Sequence, residues 1–143
     1  MHEKTEYVEE KLLLLRQNWI GKILLLGAIL FLLLGVLDYF YTPELFTRFL
    51  IYRASIAVAL LVLYVLNQRR ISNFYQHGII FIGTALSAVT IEAMIMALGG
   101  HRSPYYAGMA LLIICALGYS PFDILPAMLG MFLIYFIYIV PIL

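Results

Sequence analysis

Long apolar runs, each closed by a short polar joint, are what most constrain this chain. They fall at about residues 20–37, 49–66, 78–98, 105–118 and 124–140. A run near 20 residues is the length a helix needs to cross the roughly 30 Å of a bilayer's hydrocarbon. Composition agrees: 64% of the residues are hydrophobic and 12% charged, against about 45–50% and about 25% in an ordinary soluble domain. A soluble bundle would also need a polar outer face on each helix, and none is visible. The expected fold is therefore all-α, a polytopic membrane bundle of five transmembrane helices, with an N-terminal amphipathic segment over residues 1–18.

That N-terminal segment carries Val8, Leu12, Leu15 and Trp19 at helical spacing. Its acids Glu3, Glu6, Glu9 and Glu10 precede Lys11 and Arg16, as the helix dipole favours. It reads either as a helix lying on the membrane surface or as a solvated extension of the first span. No small-residue cleavage site follows it, so it is not a secretory signal. In the first span Gly21, Ala28 and Gly35 recur every seven residues. This small-residue stripe suits close helix contact, in a homodimer or within the monomer. The third span, with Gly83, Thr84, Ser87, Ala88 and Thr90, is the most small and polar, and is expected in the middle of the bundle. Ser103 with Pro104, and Asp123 with Pro126, read as helix starts.

Basic residues set the expected orientation. Lys4, Lys11, Arg16, Lys22, Arg69 and Arg70 fall on one side, and Arg48, Arg53 and Arg102 on the other. The positive-inside rule then puts the N-terminus in the cytoplasm of an inner-membrane, multi-pass protein.

Function-bearing residues concentrate near the opposite end. Glu92 lies deep in an apolar run, and an acid in hydrocarbon costs at least a few kcal/mol. By helical rise it sits roughly 10 Å below the Gly99 joint, and Arg53 roughly 8 Å below the end of its own span. A Glu92–Arg53 ion pair is the expected neutralisation. Asp38, His101, Arg102, Tyr105 and Tyr106 reach the same level from neighbouring joints, and Tyr135 and Tyr138 lie near the same end of the fifth run. Arg53, Glu92, His101, Tyr105, Tyr106, Tyr135 and Tyr138 are thus the candidate lining of a site for a small amphipathic ligand. The same pair read blandly is helix glue, and the tyrosines an interfacial belt.

Other chemistries find little support. His77 and His101 are 24 residues apart, roughly 36 Å along a helix, too far to share a haem iron. No metal-ligand spacing and no phosphate-cradling motif is present, and nothing resembles a catalytic constellation. No enzyme activity, cofactor or metal is expected, nor nucleic acid as a partner. Cys115, the single cysteine, reads as a packing residue.

The segment Ser103-Pro104-Tyr105-Tyr106-Ala107-Gly108 resembles a motif in the membrane-embedded N-terminal sensor modules of bacterial sensor histidine kinases and class III nucleotide cyclases. In those a glycine-containing turn likewise leads into S-P-Y-Y/F-A-G at the start of an apolar span, after an Arg within the second span and a basic joint. The resemblance implies a non-catalytic input module that passes a conformational change to a cytoplasmic effector. Tyr105, Tyr106 and Gly108 would carry over, the tyrosines lining the turn and Gly108 allowing close helix contact. Such modules return through a sixth span to a kinase or cyclase, so the chain is expected to be either a truncated receptor, the favoured reading, or a stand-alone relative. The competing readings are a small proton-coupled carrier titrating at Glu92 and a membrane assembly or scaffold protein.

Overall fold

A computed structural model describes residues 2–69, 72–100, 103, 105–118 and 124–142. These form five α-helices: α1 (His2–Tyr41), α2 (Phe46–Asn67), α3 (Asn73–Ala97), α4 (Tyr106–Gly118) and α5 (Ile124–Ile139), followed by a 3₁₀ turn (Val140–Ile142).

Three of them, α1, α2 and α3, are long and apolar enough to cross a membrane. This is the build of a multi-pass membrane protein, but it corrects the expectation of five spans. Helix α4 has 13 residues and α5 has 16, about 20 Å and about 24 Å of rise, short of the hydrocarbon thickness. Apolar composition alone therefore overstated what the last two runs can do. Residues 2–18 are not a separate element. They continue into the first apolar run as one unbroken 40-residue helix, so the extension reading describes the backbone.

Pro43 cannot continue α1, and the chain reverses over Thr42–Leu45. There the Thr42 N–H donates to the Asp38 carbonyl at 2.9 Å and the Leu45 N–H to Thr42 at 3.1 Å. The α1–α2 pair that results is held by a strict repeat. The inward positions of α1 are Gln17, Gly21, Leu24, Ala28, Phe31, Gly35 and Asp38, and those of α2 are Phe49, Arg53, Ile56, Leu60, Leu63 and Asn67. Both series advance by alternate fours and threes, the 3.5-residue repeat that keeps two helices in contact along their length. The small-residue stripe is one half of this seam and packs within the monomer. A Cβ on Gly21 would sit 3.3 Å from Tyr64, and one on Gly35 would sit 3.5 Å from Arg53 Cδ.

Helix α3 touches all of the other helices, as its small and polar face predicts. On α3 the close approach is at Gly83, where an added Cβ would lie 3.3 Å from Leu24, 3.4 Å from Leu63 and 3.5 Å from Leu60. One core cluster joins α1, α2 and α3 around Leu24, Ala28, Ile56 and Leu60, and a second joins α3, α4 and α5 around Ala88, Ile91, Ile95, Met109 and Ile134. Phe31 borders both. The surface is inverted relative to a soluble protein. Leu26, Ile29, Leu33, Val36, Val58 and Val62 are exposed, while Gln17, Asp38, Arg53, Asn67, Gln76 and Glu92 are buried. Lipid, as apolar as leucine, gives no reason to hide the former, and the latter have nowhere else to be satisfied.

Candidate functional site

The buried polar groups collect at the two ends of the α1–α2 seam. We call the end carrying the Thr42–Leu45 turn distal and the opposite end proximal. Along α1, Gln17 and Asp38 are 21 residues apart, about 32 Å, close to a hydrocarbon thickness.

At the proximal end the contacts are reciprocal. Gln17 Nε2 donates to the Asn67 carbonyl at 2.6 Å, and Asn67 Nδ2 donates to the Gln17 carbonyl at 2.9 Å. Gln76 Nε2 donates to the Leu13 carbonyl at 3.1 Å, tying in α3. Arg16 donates to the Asn73 side chain, and His77 Nδ1 to the Asn73 carbonyl at 2.7 Å. Of the accepting carbonyls, that of Asn67 is at the end of α2 and lacks a partner within the helix, whereas those of Gln17 and Leu13 lie inside α1.

At the distal end the centre is a buried ion pair. Arg53 Nε donates to Asp38 Oδ2 at 2.5 Å and Nη2 to Asp38 Oδ1 at 3.0 Å, with side-chain exposures of 5% and 1%. Tyr105 donates its hydroxyl to Asp38 Oδ1. Its ring lies 5.9 Å from the Arg53 guanidinium and 5.7 Å, edge-on, from Phe49. The guanidinium also reaches the Phe31 carbonyl at 3.5 Å. One carboxylate thus binds α1, α2 and the turn before α4, with bidentate geometry that suits a guanidinium. Burial first, then the bond to Asp38, pushes the Tyr105 phenol above its ordinary value, which keeps the hydroxyl a donor.

The turn that delivers Tyr105 uses two glycines with positive φ, Gly99 at 95° and Gly100 at 72°, a region other residues rarely enter. Ser103, buried, accepts the Tyr105 N–H on Oγ at 3.2 Å.

The expected Glu92–Arg53 pair is absent: Arg53 pairs with Asp38, and both Glu92 oxygens are buried without a hydrogen-bond partner among the described residues. Side-chain direction supplies the reason, because Cβ atoms lean toward the N-terminus of their own helix. Helix α2 runs from distal to proximal, so Arg53 leans distally. Helices α1 and α3 run the other way, so Asp38 leans down to meet it and Glu92 leans away. Register adds to this. Gly83 sits against Leu24, which puts Glu92 five residues, about 8 Å, proximal to Asp38.

No family model matches this chain. Nor does any curated protein or any solved structure. The site is therefore read from its own geometry. Of the expected lining, Arg53 and Tyr105 are brought together through Asp38. Glu92 is separate from them. Tyr138 packs, partly buried, against the second core cluster, which Tyr105 also borders, whereas Tyr135 is 58% exposed. His101 and the Tyr106 side chain lie outside the described residues, as do Arg102 and Asp123. Gly108 faces Ile91, which would lie 3.4 Å from an added Cβ, an ordinary van der Waals distance. Among the described residues there is no group of three potential metal ligands.

Sequence reasoning set Asp38 beside the site without giving it a role, and missed the proximal knot of Gln17, Asn67 and Gln76. A signal for both existed. Gln17 and Asp38 occupy the same seven-residue register as Leu24 and Phe31, and Arg53 and Asn67 are 14 residues apart on one face of α2.

Proposed function

We propose that the chain is a membrane-embedded sensory input module, non-catalytic, working in an inner membrane with its N-terminus in the cytoplasm and serving a cytoplasmic effector. The observation that carries this reading is the bond from Tyr105 to Asp38. Tyr105 is the first tyrosine of the S-P-Y-Y-A-G segment, and through Asp38 it is tied to Arg53 and to the α1–α2 seam. A change at the distal turn would thus act on a repeat that runs, without a break, to the proximal knot about 32 Å away. A buried pair of this kind, satisfied in one arrangement, suits an element with two discrete states. Basic residues around the proximal end support the orientation.

The test places spin labels at the exposed proximal positions Leu14 on α1 and Phe74 on α3 in vesicle-reconstituted protein. D38N and Y105F should change the distance distribution between them. Identical distributions in wild type and both variants, with helicity retained, would sink the reading. A second reading, a proton-coupled carrier, is favoured by the unpartnered Glu92 carboxyl. It requires proton flux in loaded vesicles that E92Q abolishes.

A further inference from the structure

Among the described residues of the distal end, one buried acid has no partner. Arg53 is fully engaged by Asp38, and Asp38 also accepts from Tyr105. Arg48, on the exposed side, is bonded to Tyr52 at 3.0 Å. Lys22 lies far toward the proximal end, over Trp19 at 5.6 Å. Glu92 remains, 5% exposed, with neither oxygen hydrogen-bonded. A partner removed from such a group leaves it costly, and a partner added would be held strongly, because charge-assisted bonds strengthen away from water.

The position of Glu92 on α3 says where such a partner enters. Residues three and four positions away share its face. On one side these are Ala88 and Ile95, fully buried in the α3–α4–α5 cluster. On the other they are Val89 and Met96, 54% and 48% exposed. Glu92 therefore stands on the boundary between the core and the lipid-facing surface, one side chain from the acyl chains. Tyr105 and Tyr138 border the same cluster.

We propose that Glu92 is the recognition group for an amphipathic amine that enters from the distal leaflet, its nitrogen donating to the free carboxyl and its alkyl chain lying along Val89 and Met96. An anionic amphiphile is disfavoured, since the buried guanidinium of Arg53 is neutralised by Asp38 and the unpartnered buried group is itself an acid. This rests on the sensory reading for its consequence, but not for the binding event.

The experiment uses the full chain in nanodiscs with hexylamine, hexanol and hexanoate, matched in chain length. Hexylamine should raise the melting temperature saturably, hexanoate should not, and hexanol should give only the small, non-saturating effect of partition. In E92Q the apparent hexylamine affinity should fall at least tenfold, the lower end for a bond to a charged group. As a check independent of any variant, the infrared carboxyl band of the wild type should respond to hexylamine and not to hexanol. Equal responses to hexylamine and hexanol, or E92Q affinity within about twofold of wild type, would overturn the proposal. Saturable hexylamine binding that leaves the Leu14–Phe74 distance unchanged would uphold the site and count against the sensory reading alone.

Discussion

Replacing Asp38 by Asn tests the distal centre most directly. The substitution keeps shape and an acceptor for Tyr105 but removes the charge that neutralises Arg53, whose side chain is 5% exposed. Removing one partner of a buried pair costs about 3–5 kcal/mol. For a chain of this size each kcal/mol lowers the melting temperature by about 2–4 °C, so D38N should fall by about 6–20 °C in detergent. The decisive step is the cycle with R53M. That variant also destabilises, since Asp38 then keeps only Tyr105. The double variant D38N/R53M leaves no unpaired charge and should recover much of the loss, with a coupling above about 2 kcal/mol. The control cycle E92Q/R53M should be additive within about 0.5 kcal/mol, as expected of groups that share no contact. Additivity in the first cycle with coupling in the second would refute the assignment of Asp38 as the partner of Arg53 and restore Glu92 to that place.

Further outcomes follow from the same contacts. E92Q removes no hydrogen bond and should melt within about 0.5 kcal/mol of wild type. Gly83→Leu drives a side chain into Leu24, Leu60 and Leu63 and should cost about 1–3 kcal/mol or more, read as a lower melting temperature. Asn67→Leu removes both the donor to Gln17 and a buried amide, and should speed hydrogen exchange around Gln17 in α1 and at the proximal end of α2 while leaving the distal turn protected. The Tyr105 phenol is raised in the folded state. Its contribution is therefore complete below the unfolded value near 10 and declines as pH rises from there through the folded value. Wild type should lose more stability than Y105F between about pH 9 and pH 12, measured by denaturation at each pH. Equal slopes would remove Tyr105 from the buried centre.

How much of this was legible in the residues depends on which physical rule was at work. Helix positions and the central place of α3 followed from apolar runs and small residues, because those features act locally. The count of spans did not follow, because hydropathy reports composition, and α4 and α5 are apolar without being long. The partner of Arg53 was misread because depth was judged from sequence distance to the nearest joint. That measure places Arg53 and Glu92 at similar levels but says nothing of the direction in which each side chain leaves its helix. Chain direction settles it: α2 is antiparallel to α1 and α3, so its side chains lean the opposite way. The proximal knot was missed for a different reason. Gln17, Asn67 and Gln76 are uncharged and sit near polar joints, where amides raise no alarm. Only the seven-residue register shows that they point inward.

The two polar layers differ in a way that bears on what each can do. The proximal knot is made largely of side-chain amides bonded to backbone carbonyls. Its geometry is fixed by the backbone, and no step in it changes charge. The distal layer instead joins three ionisable side chains, Asp38, Arg53 and Tyr105, across three segments, and leaves Glu92 unpaired about 8 Å deeper. A charge arriving at Glu92 would be felt by the pair above it, because interactions between charges are strong where water is excluded. The proximal knot could not respond in this way. A perturbation of charge is therefore taken up at the distal end, and the proximal knot is where the resulting movement of α1 against α2 and α3 would be read.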